Sequence, residues 1–540
     1  MNEHTEEYDY VVIGSGFGGS VSSLRLAEKG YKVLLLEKGK WFTKDDFPKS
    51  NWNLKRWLWM PTMRFFGIFK ITIFRNATVL SGTGVGGGSL VYANTLPRPQ
   101  SAFFDHGNWA GLADWEKELA PHYAEAERML GATENPKYFD ADNVLLEVAK
   151  SYNNEKAFGP TNVSVFFGEP EKVVPDPFFG GEGLDREGCS FCGGCMTGCR
   201  HNAKNSLDKN YLYFSQKKGT KIEAERLVTK VVPAGKEDGS EGYLITHQSM
   251  TAFGKRKTRK TVKAKGVVFS GGVLGTISLL LDLKHKKHLP NLSNALGDHV
   301  RTNNENLSFV VSKKSDKDYS KGIAIGAIFP PNADGHVEVV RYRAGSGFWK
   351  IAALPTVFSK KAIIRIPKLL LKLVFQPWLM LRVLLSRDFA KQSIILLFMQ
   401  HLDSTLKLKK GWFSLKSSHS SGPKVTPFID EAEVIAKKAA KVMNGKSYML
   451  NTDIITGAPS TAHILGGAVI GINADKGVID TNQKVFGYKN MMVCDGSAVS
   501  ANPGVNPSLT ITAMTERAMS KIPAKKSITN TNSQASKLKN

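Results

Sequence analysis

The chain has 540 residues, 42% hydrophobic and 22% charged, with a formal net charge of +25. That length and balance exclude a single small domain and an intrinsically disordered chain. The charge raises nucleic acid and anionic lipid as partners, but no zinc-finger spacing, RNP-like run or basic zipper accompanies it, so the reading is no nucleic acid and either a basic solvated face or a lipid contact.

Met1–Tyr8 is polar and acidic, unlike a signal peptide. No apolar run reaches the ~20 residues of a spanning helix. The expectation is a cytoplasmic protein, with a peripheral place on the inner membrane surface left open. Four of the five cysteines crowd into Cys189–Cys199, which is not a disulfide framework.

Tyr8–Ile13 reads as a buried strand. It runs into Gly14, Ser15, Gly16, Phe17, Gly18 and Gly19, a fit to G-x-G-x-x-G. Val21–Lys29 has helical spacing, and Lys32–Leu36 is a second strand ending in Glu37. In this order the motif is a dinucleotide site. Gly14 permits the turn, Gly16 lets a pyrophosphate approach and Gly19 packs helix on strand. The helix N-terminus faces the phosphates, and Glu37 accepts from a ribose diol. The acid disfavours NADP but leaves NAD and FAD open.

Residues 49–77 form an aromatic and basic segment; within 52–74, Trp52, Trp57, Trp59, Phe65, Phe66 and Phe69 interleave with Lys55, Arg56, Arg64 and Lys70. This composition suits a lipid interface or a buried helix with a basic flank. A second glycine loop follows in "LSGTGVGGGSLVYANTL", with Gly82, Gly84, Gly86, Gly87 and Gly88. Its density suggests a long cofactor held by backbone at a second point. "ADWEKELAPHYAEAERML" (113–130) is an amphipathic helix.

"CSFCGGCMTGC" spaces Cys189, Cys192, Cys195 and Cys199 as C-x2-C-x2-C-x3-C. An iron–sulfur cluster, a zinc site and packed free thiols all fit. Arg200 stands where a ferredoxin carries proline. A cluster would pass electrons singly to a quinone or cytochrome. Without one, oxygen is the expected acceptor.

"KKAIIRIPKLLLKLVFQPWLMLRVLLSR" (360–387) is leucine-rich and basic, broken at Pro367 and Pro377. It favours lipid contact over a buried helix. Near the C-terminus, "GVNPSLTITAMTERAM" reads as a helix with Asn506 at the N-cap, Pro507 at the first turn and alternating buried and polar faces. The tail from Ala524 is rich in Lys, Ser and Asn and reads as disordered.

Four blocks, the two glycine loops, "TAHILGGAVIG" (461–471) and "DGSAVSANPGVNPSLTITA" (495–513), together resemble the glucose–methanol–choline (GMC) oxidoreductases, in the cholesterol oxidase-like branch. "VVFSGGVLGTISLLL" (267–281) and "LGDHVRTNNE" (296–305) add to the resemblance. It implies extended FAD, oxidation of a hydrophobic alcohol such as a sterol, and oxygen or a redox partner as acceptor. It places the isoalloxazine by Gly82, Gly86, Gly87, Gly88, Ser89 and Asn94 and by Asp495, Gly496, Asn506 and Pro507. Val228 would meet the adenine through its backbone. His463 would hydrogen-bond the substrate hydroxyl as base, with Asn506 beside it. Glu338, in "VEVVRYRAG", aligns with a glutamate that moves a proton in steroid isomerisation; a solvated glutamate is the alternative. A lipid-binding protein that has lost turnover is a reading of another class.

The fold expected is α/β: a discontinuous Rossmann-like FAD-binding domain (8–48, 78–97, 220–305 and 460–523) with an α+β substrate domain on a β-sheet (98–219 and 306–459). Residues 524–540 are the tail.

Overall fold

The computed structural model describes residues 6–526, save 253, 255, 256, 314, 315 and 413. Residues 527–540 of the expected tail lie outside the described residues.

Two seven-stranded sheets organise the chain. The first runs in the order Lys221–Glu223, Val33–Leu36, Glu7–Ile13, Arg259–Phe269, Tyr243–Ser249 and Arg226–Pro233, with Met491–Val493 beside the end of Arg259–Phe269. The pairs from Lys221–Glu223 to Arg259–Phe269 are parallel, as is the pair with Met491–Val493. The last two strands join antiparallel. Parallel strands are covered on both faces, which is why Val11, Val12 and Val33–Leu36 form unbroken apolar runs with almost no exposure. This is the expected Rossmann-like unit, with its crossover helix at Phe17–Glu28.

In the second sheet every pair is antiparallel, in the order Ala353–Pro355, Gly445–Leu450, Asn306–Ser312, Ser393–Gln400, Gly335–Val340, Ile325–Asn332 and Gly159–Pro160. Side chains alternate between its faces. Val310, Val337, Val339, Ile394, Leu396 and Phe398 pack against helices Asp140–Lys150 and Asp430–Val442. Phe309, Val340, Ile395 and Leu397 point the other way and line a cleft. Glu338, two residues from Val340, therefore shares the cleft face.

A small three-stranded sheet bridges the two glycine-rich regions. Phe69–Ile73 pairs with Thr78–Gly82, which pairs in parallel with Ser460–Thr461. The second glycine loop and the segment carrying His463 thus leave one sheet together.

Helix Trp115–Leu130 forms as expected, capped by Asp114, whose side chain accepts from the Lys117 amide, and closed by Gly131 at φ 60°. The C-terminal helix differs from its sequence reading in two ways. It begins at Ser508 with Pro507 at the N-cap, one residue later than expected, and the Asn506 side chain turns away to donate to Glu338. It is also buried nearly all round rather than two-faced. Its charges survive burial by pairing: Glu516 meets Arg25 at 2.7 Å and accepts from the Tyr211 hydroxyl at 2.6 Å, and Arg517 donates to Glu118 at 2.6 Å.

Candidate active site

The first glycine loop packs as its spacing requires. Gly14 has φ 103°, and a Cβ there would stand 2.3 Å from the Ser270 carbonyl oxygen. A Cβ on Gly18 would come 1.6 Å from the Cys494 carbonyl oxygen, and one on Gly19 1.9 Å from that of Gly14. A Cβ on Gly16 would meet nothing, because that face opens into the cleft. Glu37, buried at the strand end, accepts from the Ser15 amide (3.1 Å), the Ser15 hydroxyl (2.8 Å) and the Gly39 amide (2.8 Å). Val228 is buried at a bulge near by, on the strand whose first amide, Arg226, donates to the Glu37 carbonyl at 2.7 Å.

The two glycine loops touch. A Cβ on Gly87 would lie 2.6 Å from the Gly16 Cα. Ser15 ties them further: its hydroxyl donates to the Gly84 carbonyl (3.2 Å) and accepts from the Gly86 amide (3.1 Å). Ser89 braces the second loop, donating to the Gly86 carbonyl at 2.7 Å. Asn94 is fully buried at φ 73°, with neither amide atom hydrogen-bonded.

The cleft that runs from these loops encloses about 1720 Å³ of empty space, part of it open to solvent. Gly16, Phe17, Gly18, Gly82 and Gly88 line it, as do Gly271 and Gly272 at the start of helix Gly272–His285. Asp495, Gly496, Asn506 and Pro507 lie on its wall before the C-terminal helix. Asp495 holds the turn by accepting from the Ser497 amide at 2.8 Å, and burial pushes its carboxyl above the usual range. Beyond this end the walls are apolar: Leu307, Phe309, Ile325, Ile395, Leu397 and Trp349.

His463 and Asn506 meet where the polar and apolar parts join. His463 Nε2 lies 3.4 Å from the Asn506 amide nitrogen, which donates to Glu338 Oε2 at 3.2 Å. Glu338 is fully buried, so the solvated alternative does not hold. His336 stands 3.4 Å behind its other oxygen. On the opposite side His463 Nδ1 is 2.8 Å from Glu305 Oε1. Burial works against the imidazolium, yet the charge and hydrogen bond of Glu305 and the charge of Glu338 outweigh it, so the His463 pKa is raised.

A family profile described as GMC oxidoreductase matches residues 183–301, and a second of the same description matches 415–515. An NAD(P)-binding Rossmann-like profile matches residues 12–42. The chain is 45% identical over 535 residues to a cholesterol oxidase of Acinetobacter baumannii, covering 97% of this chain and 96% of that one. It is 40% identical over 539 residues to a cholesterol oxidase of Mycobacterium tuberculosis, covering 96% and 92%. This chain belongs to the GMC oxidoreductase family. A pyridoxine 4-oxidase crystal structure shares the GMC enzyme's fold at a TM-score of 0.58 and 14% identity, covering 95% of this chain and 98% of the other.

The GMC enzyme is an FAD-dependent alcohol oxidoreductase, and its cleft suits that cofactor. Gly16 leaves its face open, helices Phe17–Glu28 and Gly272–His285 turn their N-termini to the cleft, and the Asn506 oxygen is buried there without a partner. No helix among the described residues is long and apolar enough to cross a membrane.

The cysteine run forms neither of the metal-ligand groups that its spacing allows. Among the described residues no cluster of three or more His, Cys, Asp or Glu side chains is arranged to hold a metal ion. Cys189, Cys192, Cys195 and Cys199 are free thiols, and Cys189, Cys195 and Cys199 pack with Val163, Val165, Phe167, Phe191 and Ile323. Burial pushes the Cys195 thiol up to about 11 and that of Cys189 higher still. The buried Lys204 ammonium bonds the carbonyls of Leu90 (3.3 Å), Tyr92 (2.9 Å) and Cys195 (2.9 Å), tying this segment to the second glycine loop. Burial pushes its pKa down to about 7. The spacing serves packing beneath that loop.

Two segments of similar composition part company. In 52–74, Trp57, Trp59 and Phe69 are buried, and Trp57 stacks on Phe69 at 4.7 Å with Trp349 edge-on. This segment packs largely into the core, built as one helical turn, Leu54–Trp57, followed by short strands, with Trp52, Met63 and Ile73 left exposed. In 360–387, helices Ala362–Phe375 and Trp378–Leu384 bury Leu369, Leu379 and Val383 but expose Leu370, Leu371, Val374, Phe375, Trp378 and Leu381.

Sequence reasoning gave Glu305 no role, although "LGDHVRTNNE" was marked as a family block. The signal was available: a carboxylate directly before the apolar strand "NLSFVVS", where an unpaired acid is costly.

Proposed function

We propose that this GMC enzyme oxidises the hydroxyl group of a sterol-like alcohol, with oxygen as terminal acceptor and the substrate delivered from an anionic lipid surface. The observation that carries this reading is the His463–Asn506 pair where the polar part of the cleft meets its apolar walls. The cholesterol oxidases named above, at 45% and 40% identity, support the sterol.

In this reading Gly14–Gly19 and Glu37 bind the pyrophosphate and ribose, and the Val228 backbone meets the adenine. Bound FAD supplies the acceptor for the hydride that leaves the carbinol carbon. His463 Nε2 takes the hydroxyl proton. The Asn506 amide fixes the hydroxyl oxygen beside that nitrogen. The N-terminus of helix Ser508–Ser520 offers partial positive charge to the cofactor end of the cleft. The apolar walls exclude water and favour a rigid hydrocarbon over a sugar.

Glu338, bonded to the Asn506 amide on the cleft face of its strand, is our candidate for shifting a steroid double bond after oxidation. The lipid contact rests on the exposed apolar face of 362–385. No acid occurs between residues 357 and 387, and Lys360, Lys361, Lys368 and Arg387 are exposed around that face. Its buried side adjoins the chamber: the Tyr448 hydroxyl donates to the Leu379 carbonyl at 2.9 Å, and Leu379 packs in one core cluster with Trp349 and Leu450. A sterol leaving lipid there has a short route inward.

The test is anaerobic mixing of purified flavoprotein with a 3β-hydroxysteroid. Bleaching of the flavin band, followed by hydrogen peroxide on admitting air, is expected. Bleaching by sugars or choline but not by the steroid refutes the substrate. Reoxidation by a quinone analogue but not by air refutes the acceptor.

A further inference from the structure

We infer that Glu305 is a positioning residue for the reaction, acting through His463 by fixing its tautomer and stabilising its protonated form. The inference rests on the reading of His463 as the base.

The carboxylate is fully buried and accepts three hydrogen bonds. The Thr461 hydroxyl donates at 2.9 Å, the Ala462 amide at 2.9 Å and the His463 ring at 2.8 Å. The two neighbours hold the carboxylate in place without the histidine. The His463 amide in turn donates to the Thr461 hydroxyl oxygen at 3.0 Å, so ring and carboxylate share one frame.

An ionised carboxylate only accepts. The proton of the neutral imidazole must therefore sit on Nδ1. That leaves the Nε2 lone pair on the cleft side, 3.4 Å from the Asn506 amide nitrogen. A base needs that lone pair. With the other tautomer His463 would present a donor and could take no proton.

The same carboxylate matters as the proton moves. The substrate O–H bond breaks and an Nε2–H bond forms, while the hydride on the carbinol carbon leaves to the oxidant of the enzyme's established activity. The carbonyl double bond forms from the electron pair of the broken O–H bond. His463 then carries a positive charge in a part-buried site. Glu305 lies 2.8 Å from the other nitrogen and offsets that charge. Glu338, on strand Gly335–Val340, also faces the pair, with His336 behind it, and Lys70 lines the same cleft. Among the described residues, Glu305 is the one carboxylate bonded directly to the ring.

The sign follows. The negative charge raises the His463 pKa, and the base works only when neutral. Flavin reduction should rise with pH through that pKa and level off above it. Glu305→Gln should move the midpoint down by about one pH unit or more. It should also lower the plateau rate about 10²-fold, because a weaker base is left. Glu305→Asp, which keeps the charge, should retain a midpoint nearer that of wild type.

The experiment is anaerobic stopped-flow reduction by a 3β-hydroxysteroid from pH 6 to about 10, with flavin content and visible circular dichroism as fold controls. Histidine-selective NMR without substrate gives the His463 midpoint independently of turnover. A lower plateau with an unmoved midpoint means a structural role and overturns the inference, as does an unchanged profile. If Glu305→Gln does not hold flavin, Thr461→Val decides. Removing that donor should concentrate charge on Glu305 and raise the midpoint, and no movement overturns the inference. If wild type is not reduced by the steroid, the proposed substrate fails instead. NMR still reports on Glu305 in that case.

Discussion

Leu371, Val374 and Phe375 sit at helical spacing on one face of Ala362–Phe375, exposed by 56%, 70% and 70%. Replacing all three by serine leaves the buried face with Arg365 and Leu369 intact. Arg365 still anchors the helix through its bond to the Ser359 carbonyl at 2.7 Å and its stacking on Phe428. Fully burying such a side chain is worth about 1.5–3 kcal/mol. At about two-thirds exposure, each has about 1–2 kcal/mol left to gain from lipid. The triple variant should lose about 3–6 kcal/mol of membrane affinity, which at 1.4 kcal/mol per decade is about 10²-fold or more. Sedimentation with vesicles rich in anionic lipid measures the partition coefficient. Flavin reduction by steroid dispersed in detergent should stay at the wild-type rate, because none of the three lines the cleft. Partition unchanged by the substitutions would refute the assignment of this face to lipid. Partition insensitive to salt would refute the part given to its lysines.

Three further outcomes follow from the site and its frame. His463→Ala should slow flavin reduction by steroid by 10²-fold or more, about 3 kcal/mol in the barrier, with little change in steroid affinity, since the chamber walls are apolar; rapid-mixing rates near wild type would remove it as the base. Gly18→Ala should abolish flavin retention on purification, because its Cβ would stand 1.6 Å from the Cys494 carbonyl oxygen and backbone must move; a stoichiometric flavin content would contradict this. Asp142→Asn should lower stability by about 3–5 kcal/mol in denaturant titration, since it leaves the buried Arg341 guanidinium, now bonded to both carboxylate oxygens, without its counter-charge. A midpoint equal to wild type would show that the pair contributes nothing net.

The sequence by itself determined what local spacing dictates. The run of Tyr8–Ile13, the glycines behind it and the acid at Glu37 specify a strand, a turn and a helix whose N-terminus faces the cleft, because each needs only neighbours within about thirty residues. Helix Trp115–Leu130 was legible for the same reason, from its periodicity. His463 and Asn506 were found through family blocks, not through any local pattern. Tertiary structure decided the rest. Glu305 lies 158 residues from His463, and Glu338 lies 168 from Asn506, so no periodicity could bring them to one imidazole. The cysteine spacing fits a metal motif, but whether four thiols take up a ligand geometry depends on the fold around them; here all four line one small cavity with Lys204, and no described group is arranged to hold a metal ion. The two apolar and basic segments differ little in composition. One is buried because Trp57 and Phe69 meet Trp349 across the fold; the other stays exposed because none of the described residues covers Leu371, Val374 and Phe375. Burial is a property of the partner surface, and a chain read residue by residue does not contain it.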